Sequence, residues 1–458
     1  MAQGGDAAAA PTSFSPRLRP LHLLIHPNRN WTLAPPLMME PTTPTRTKSS
    51  PAQRPSPPLS LPLARSLPEA SQAHQAPMAT PWVLLYRAVS TELAAGAAAG
   101  APDFTLPVAP PPGVAILAAG RSAHPDPNLL DGCPWIIAAA PDCLLAHFAV
   151  APSIGLFFSD NPRDTHLVMA RHFRRTADGQ ITASAERVPD RPVRPGLVPQ
   201  LSSIFSVGLV PNADGSFTIA ELQVHRGSDR ATLISFHSGY HEWYDENVES
   251  PLPAEDRDRK WAPHGSVVLE STVWWFDLSW GIISCDMEGD YDALLFHRLP
   301  PNRALPAATP RMLDHRCITM SQGDLRYVEI TCEAGAVAVH MWTMVFGQGG
   351  WEWEKTYSVS FEEIWNDDSY RATELPRRVP VLAAVCPSEP NLVYFTLKQR
   401  IFGVNMHGRR VVHEGPYNLV VNKGTLAPEA AAGRFLLPWH LPPGDTPGAA
   451  DILIYIST

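Results

Sequence analysis

From residue 82 onward, short apolar runs alternate with polar turn residues. Runs such as WVLLYRAV and THLVMARHF are separated by Gly, Pro, Asp and Asn. Apolar runs of this length, bounded by turn residues, predict β-strands. Asp178-Gly179 and Asp214-Gly215 lie between such runs, and Asp-Gly favours tight hairpins because it tolerates positive φ at both central positions. Helical periodicity is nearly absent: residues 88–101 predict one short helix, weakened by two glycines, and residues 358–371 a single helical turn.

One stretch shows the pattern in compact form. Residues 272–278, TVWWFDL, and 282–287, IISCDM, predict a hairpin around Ser279-Trp280-Gly281. Residues 265–271 supply a strand before it and residues 292–300 a strand after it. Four short antiparallel strands in one segment predict a blade of a β-propeller.

The aromatic run Trp274-Trp275-Phe276 suits a strand between neighbouring blades, where broad side chains fill the wedge between twisted sheets. Asp277 and Asp286 follow the two strands. We expect their carboxylates to accept backbone N–H bonds in the turns, as Asx residues do.

The pattern recurs later in the chain. Residues 315–332 predict two strands joined through Gly323-Asp324, and residues 336–345 and 351–361 predict two more. VPVLAAVC, NLVYFTL and RIFGVNMHGRRVVHE repeat the set, so that Cys285-Asp286-Met287 corresponds to Val404-Asn405-Met406. The interval exceeds the roughly 40–45 residues of a WD blade, which implies long loops. The predicted fold class is all-β, a β-propeller-like repeat of short antiparallel four-stranded blades with a disordered Pro-rich N-terminal tail.

The apolar residues 451–458, DILIYIST, predict a terminal strand. An unpaired terminal strand would leave an aggregation-prone edge. We therefore expect it to close the ring by pairing with residues 82–89 or 113–120.

The predicted domain division is a tail of residues 1–80 and a propeller-like body of residues 81–458. The tail contains fifteen prolines, seven Arg or Lys and only three acids. This composition predicts disorder, either as a transit peptide or as an upstream extension without function. Met78 precedes the start of the folded region.

The net charge and the cysteine spacing argue against some classes of binding partner and compartment. The net charge of −9 argues against general binding to nucleic acid or to an anionic membrane, and no stretch predicts a transmembrane helix. The six cysteines form no CxxC pair, which favours reduced thiols in an intracellular protein. The expected compartment is the cytoplasm or nucleus, or a plastid or mitochondrion if the tail is a targeting segment.

Candidate chemistry is sparse. No GxSxG, P-loop or GxGxxG motif is present. His237 and His241, with Glu242, Asp245 and Glu246 nearby, could supply metal ligands, but a polar loop is the favoured interpretation. The prediction therefore contains no catalytic residue, cofactor or metal.

Residues 240–264 predict a long polar loop. It carries Trp243, Tyr244 and Trp261, and exposed aromatics on a rigid scaffold favour a protein-binding role. The alternative is that the tryptophans pack onto their own blade.

Several of these segments resemble a known family. WVLLYRAV, VWWFDLSWGIISCD with the following LLFHRLPP, and VHMWTMVFGQGGWEWEKTYSVSFEEIW are similar to plant proteins of domain of unknown function family 1618, which is expanded in cereals. The resemblance covers most of residues 82–430, with a family-like core at about 200–430 and its most specific part at 271–300. Val339–Trp342 and Trp351–Val359 also resemble, more distantly, the kelch-like propeller of F-box-associated domains. No F-box precedes the body, so the resemblance implies no role as a ubiquitin-ligase receptor, and the family supplies no catalytic residues.

Two functions remain open from the sequence. The favoured hypothesis is a non-enzymatic propeller-like scaffold that binds another protein. The alternative is a propeller-fold hydrolase that acts on a sugar or ester through carboxylates near the central channel. Buried acids and histidines at the channel would favour the enzyme, whereas an apolar channel with a broad surface patch would favour the scaffold.

Overall fold

A computed structural model describes residues 81–91, 101–126, 134–149, 158, 164–192, 198–289, 294–307, 309–333, 335–348, 350–418, 420–421, 425–426 and 432–442. The strands in this part of the chain are β1 (Trp82–Ser90), β2 (Phe104–Leu106), β3 (Val114–Ala119), β4 (Trp135–Ala140), β5 (Cys143–Ala149), β6 (Thr165–Arg175), β7 (Ile181–Arg187), β8 (Val207–Pro211), β9 (Phe217–Val224), β10 (Arg230–His237), β11 (Glu242–Glu249), β12 (Gly265–Leu269), β13 (Thr272–Asp277), β14 (Gly281–Asp286), β15 (Leu295–Arg298), β16 (Arg316–Ser321), β17 (Asp324–Glu333), β18 (Ala336–Gly347), β19 (Gly350–Ser360), β20 (Val381–Val385), β21 (Leu392–Leu397), β22 (Arg400–Asn405), β23 (Arg410–Pro416), β24 (Val420–Val421), β25 (Thr425–Leu426) and β26 (Leu436–His440). The short helices are α1 (Met312–His315), α2 (Phe361–Asn366), α3 (Asp368–Arg371) and α4 (Ala432–Phe435).

Four consecutive antiparallel sheets form the blades. Blade 1 is β8–β11, blade 2 is β12–β15, blade 3 is β16–β19 and blade 4 is β20–β23, and each has its strands in chain order. The predicted strands of residues 265–300 are those of blade 2. The predicted all-β, propeller-like class is confirmed.

The aromatic run of β13 is buried on both faces. Trp275 packs among side chains of blade 1, including Val210 and Leu222, whereas Trp274 packs with Tyr327 of blade 3. Successive side chains of a strand point to opposite faces, so neighbouring tryptophans serve opposite interfaces. The indole Nε1 of Trp275 also donates to the Ser206 carbonyl at 2.8 Å, which ties blade 2 to the segment before blade 1.

The turn carboxylates act as expected. Asp277 accepts the Ser279 N–H at 2.8 Å, and Asp286 accepts the Glu288 N–H at 3.1 Å. The correspondence between the two apolar–Asx–Met segments also holds. Asp286 ends the third strand of blade 2 and Asn405 ends the third strand of blade 4.

The first seven strands form a different unit, which the sequence pattern did not predict. β1 pairs with β3 on one side and the order continues β3-β2-β7-β6-β5-β4, while β4 also pairs with β1 through Ala88 and Trp135. These seven strands therefore make a closed sheet. Alternate side chains fill its interior, such as Leu85, Phe104 and Phe148, while Leu84, Tyr86 and others on the opposite face pack toward blades 1 and 4.

The blades and the closed sheet contact one another in sequence. The first strand of each blade contacts the first strand of the next, and β4 contacts β8 while β20 contacts β26. β26 pairs antiparallel with β1, from Trp82–His440 to Tyr86–Leu436, and thereby joins the end of blade 4 to the closed sheet. The strand predicted at residues 451–458 and the tail of residues 1–80 lie outside the described residues.

Two local expectations need correction. Residues 88–90 of the predicted helix belong to β1, where β-branched and aromatic neighbours and ladder bonds override a weak helical tendency. Residues 242–249 are the fourth strand of blade 1 rather than loop, because they complete the ladder with β10. The predicted helical turn at 358–371 is present as α2 and α3.

Replacing Trp275 should strongly destabilise the protein. Its side chain is fully buried, and Trp275→Ala leaves a cavity between two blades and the Ser206 carbonyl without its donor. We expect a loss of about 3–5 kcal/mol in the free energy of unfolding, measured by urea denaturation. Leu295→Ala, on the exposed edge strand of the same blade, is the control and should shift the midpoint little. An unchanged midpoint for Trp275→Ala would contradict the interface role.

The free energy of unfolding should decrease at acidic pH because His297 is buried. Burial lowers the pKa of His297 from 6.5 to about 4, and its Nε2 lies 2.8 Å from the Ser284 hydroxyl. His297 binds a proton at higher pH in the unfolded chain than in the folded one. The contribution of neutral His297 to the free energy of unfolding is therefore present above pH 6.5 and is lost as the pH falls toward 4. His297→Gln should flatten the dependence of melting temperature on pH in that window, whereas His407→Gln, at an exposed position, should leave the slope unchanged. Equal slopes in all three proteins would refute this.

Candidate functional site: the central channel and an exposed aromatic pair

A channel runs between the inner strands of the ring. It consists of two adjoining cavities of about 130 Å³ and about 320 Å³, which share Arg87, Ser266 and Thr319 among their lining residues. β12, β16, β20, β4 and β26 provide most of the wall. The wall is mainly apolar, with Ile137, Val267 and other aliphatic side chains.

The charged groups in the smaller cavity are basic. Arg316 is held by three hydrogen bonds: Nη1 donates to the Leu278 and Arg303 carbonyls at 2.8 Å and 2.7 Å, and Nη2 pairs with Glu329 at 2.5 Å. Arg87 and Arg434 line the same cavity without an ion pair to any described carboxylate. The smaller cavity is therefore lined by two guanidinium groups that no described carboxylate pairs with.

His264 and Asp277 adjoin the channel but are not arranged as a catalytic pair. Their Nδ1 and Oδ1 atoms are 3.6 Å apart, and Nδ1 accepts the Leu278 N–H at 3.3 Å. Asp277 is fully buried and accepts from the Ala262 N–H and from both N–H and Oγ–H of Ser279. Since Nδ1 accepts a hydrogen bond and does not donate one to the Asp277 carboxylate, Asp277 does not orient the imidazole as a base. Burial lowers the pKa of His264, which keeps the ring neutral at neutral pH.

Other catalytic groups are scarce along the described channel wall. Cys317 lines the smaller cavity, but burial raises the pKa of its thiol to about 12, so the thiolate nucleophile is not formed at neutral pH. Glu270, at an exposed position, is the one carboxylate among the described lining residues of the two cavities. A pair of carboxylates, which glycoside hydrolysis ordinarily uses, is not formed by these residues.

The structure separates the three predicted partner-binding residues. Trp243 and Tyr244 lie on β11, where Trp243 is partly buried and its Nε1 donates to the Pro189 carbonyl at 2.8 Å. The Tyr244 side chain is 38% exposed and its hydroxyl donates to Glu242 at 2.9 Å. Tyr240, in the turn before β11, is 75% exposed and was not singled out from the sequence.

Trp261 is a core residue. It is buried between blades 1 and 2, and its ring lies 6.0 Å from that of Trp280 in an edge-to-face arrangement. The burial of Trp261 agrees with the alternative that the tryptophans of residues 240–264 pack onto the sheets.

The histidine cluster near residue 240 holds no metal-binding geometry in the described structure. His237 contacts Thr218, with Nδ1 3.1 Å from the hydroxyl oxygen, and burial lowers the pKa of His237. His241 lies in the turn at a φ of 54°. Within the described ranges, no three His, Cys, Asp or Glu side chains are placed to hold a metal ion.

An exposed aromatic pair was missed from the sequence. Phe346 and Trp351 flank the turn between β18 and β19, with ring centroids 5.3 Å apart and exposed fractions of 74% and 38%. The ring of Trp351 also meets that of Trp274, in blade 2, at 5.4 Å. The available signal was the position of two aromatics on either side of the turn residues Gly347-Gln-Gly-Gly350.

Among the described residues, the helices are all too short to span a bilayer.

Solved structures similar to this one include β-propellers. Sqt1 of Saccharomyces cerevisiae matches with a TM-score of 0.31 and 9% identity over 65% of this chain and 65% of that chain, which is just under two thirds of its length. An α-L-arabinanase of Penicillium chrysogenum, complexed with arabinobiose, matches with a TM-score of 0.31 and 8% identity over 64% and 85% of the two chains. The Cps50 (Swd1) β-propeller domain of Myceliophteria thermophila matches with a TM-score of 0.28 and 9% identity over 60% and 93%.

No curated protein matches the sequence. The model of one family, described as "Protein of unknown function (DUF1618)", matches residues 275–394, from Trp275 in β13 to Tyr394 in β21. This segment is shorter than residues 82–430, over which the resemblance was drawn, and it includes most of the 271–300 motif together with blade 3. The resemblance to the DUF1618 family is thus confirmed over residues 275–394.

Proposed function

We propose that the protein is a non-enzymatic propeller-like scaffold that binds another protein through Phe346 and Trp351. The observation that carries this proposal is the exposure of two adjacent aromatic rings at the tip of the β18–β19 hairpin. Aromatic side chains are the commonest centres of protein–protein binding energy because they bury a large area with few rotatable bonds.

The strand that carries Trp351 is supported by blade 2. Trp351 contacts Trp274, which is buried, and Trp353 on the same strand donates its Nε1 to the Arg298 carbonyl at 2.9 Å. Both contacts reach blade 2, so the hairpin of blade 3 is supported from the neighbouring sheet. A surface that is already ordered loses less side-chain entropy on binding, which supports a recognition role.

The channel wall supports binding rather than hydrolysis. A hydrolase acting through carboxylates needs an acid and a second carboxylate or activated water within reach of one bond. Glu270 alone among the described lining residues carries a carboxylate, and the remaining charges are basic. The proposal therefore assigns no reaction to the channel.

A reducing compartment, the cytoplasm or nucleus, is part of the proposal. The five cysteines in the described part of the chain are free thiols. Burial raises the pKa of Cys143 and Cys285 to about 12 in each case, which makes these thiols inert in the folded protein.

Substituting Phe346 should remove partner binding without unfolding the protein. Wild-type, Phe346→Ser and Tyr240→Ser proteins are immobilised, exposed to extract of the source tissue and compared by quantitative mass spectrometry. Tyr240 is the matched control because it is equally exposed but lies beside blade 1. With a partner found in this way, we expect Phe346→Ser to weaken binding by more than about tenfold in calorimetry.

Two outcomes contradict the proposal. Partners that are lost with Tyr240→Ser and retained with Phe346→Ser would place the interface on blade 1. Hydrolysis of a glycoside or ester by the purified protein, abolished by Glu270→Gln, would show that the protein is an enzyme.

A further inference from the structure

Arg87 reaches the channel from the closed sheet. It lies on β1 between Tyr86, which pairs with β26, and Ala88, which pairs with β4. Its Nη1 donates to the Ile136 carbonyl at 2.9 Å. The guanidinium has five N–H donors, so this bond fixes its position and leaves donors for a ligand in the cavity.

Arg434 lines the same cavity, although it lies near the other end of the described chain. It lies on α4, immediately before β26, and its guanidinium carbon is 4.3 Å from the ring centre of Phe205. Contact with an aromatic face orients a guanidinium without neutralising its charge. Among the described residues it forms no ion pair.

The two charges are close enough to affect each other. Burial, and to a smaller extent the charge of Arg434, together lower the pKa of Arg87 to about 10. Burial likewise lowers the pKa of Arg434. An anion between the two groups would offset both the desolvation and the repulsion.

We propose that the central channel binds a phosphate group, as inorganic phosphate or as part of a small organic phosphate, between Arg87 and Arg434. A guanidinium presents parallel N–H donors that match the oxygens of a phosphate, and two of them balance its double negative charge. His264, Ser266, Thr319 and the Glu329-paired Arg316 are the other polar residues of the wall. The cavity of about 130 Å³ has room for several water-sized groups.

The second cavity distinguishes inorganic phosphate from an organic phosphate, because only the latter has an apolar part that could contact its wall. It adjoins the first cavity at Arg87, has a volume of about 320 Å³, and is lined by Ile137, Val267 and Leu437 among others. This largely apolar wall would contact the organic part of a phosphate monoester. A monoester that binds more tightly than phosphate identifies an organic phosphate as the ligand, and equal affinity identifies inorganic phosphate.

The experiment measures binding to the full chain by calorimetry and by melting temperature. Inorganic phosphate and phenyl phosphate are the probes, with sodium chloride at the same ionic strength as the blank. The proteins are wild type, Arg87→Gln, Arg434→Gln and Arg371→Gln; Arg371 pairs with Asp368 on the surface and controls for the loss of one positive charge.

We expect saturable binding to wild type and to Arg371→Gln, and a Kd weaker by at least about tenfold in Arg87→Gln and Arg434→Gln. Without phosphate, Arg434→Gln should keep or raise the melting temperature because it removes a repulsion. A purely structural role would instead lower that temperature and leave the phosphate-induced shift intact. If Arg87→Gln fails to fold because the Ile136 carbonyl loses its donor, the comparison of Arg434→Gln with wild type decides the outcome.

The proposal is overturned if phosphate raises the melting temperature of wild type no more than sodium chloride does. It is also overturned if Arg434→Gln binds phosphate as wild type does.

Discussion

Burial of both faces of the same strand is the constraint on which the ring depends. A sheet in the middle of a ring has a neighbour on each side, so its second strand cannot alternate between apolar and polar residues. In β13 the solution is a continuous aromatic run, with Trp275 facing blade 1 and Trp274 facing blade 3. The interfaces between later blades follow the same rule, with Val328 and Phe395 in the shared core of blades 3 and 4. Each blade is thus stabilised by its neighbours rather than by a core of its own.

The two proposed binding sites, for a protein and for a phosphate group, lie on different parts of the ring of sheets. The aromatic pair flanks the turn of the β18–β19 hairpin of blade 3, which is supported by blade 2. The channel is formed by the first strands of the blades and by the closed sheet, and its wall combines aliphatic and basic side chains with the aromatic rings of Trp135 and Phe276. Gly265 lies where a Cβ would be 2.4 Å from the ring of Phe276, so a larger residue does not fit there without a shift. Phe346 and Trp351 are not among the described lining residues of the channel.

Local features of the chain were predictable and distant pairings were not. Blade 2 could be placed almost to the residue, because its strands follow one another through short turns with recognisable residues. The closed sheet could not, since β1 finds its partners in β3, β4 and β26, and no local pattern encodes that choice. The same distinction applies to the aromatics. Trp261 stands in a strongly charged stretch of the sequence but is buried against Trp280, whereas Phe346 follows an apolar run but is 74% exposed and contacts the ring of Trp351.

The pairing of β1 with β26 has a consequence for synthesis on the ribosome. β1 is among the first strands to emerge and β26 is the last one described, so the ladder from Trp82–His440 to Tyr86–Leu436 must wait for nearly the whole body. Contacts between such distant residues slow folding, because a long chain has to be ordered before they form. Until then the edge of β1 is open to pairing with other chains, which is a common origin of aggregation in large β proteins. Nascent chains that stop before residue 436 therefore present to chaperones an edge that the finished protein covers.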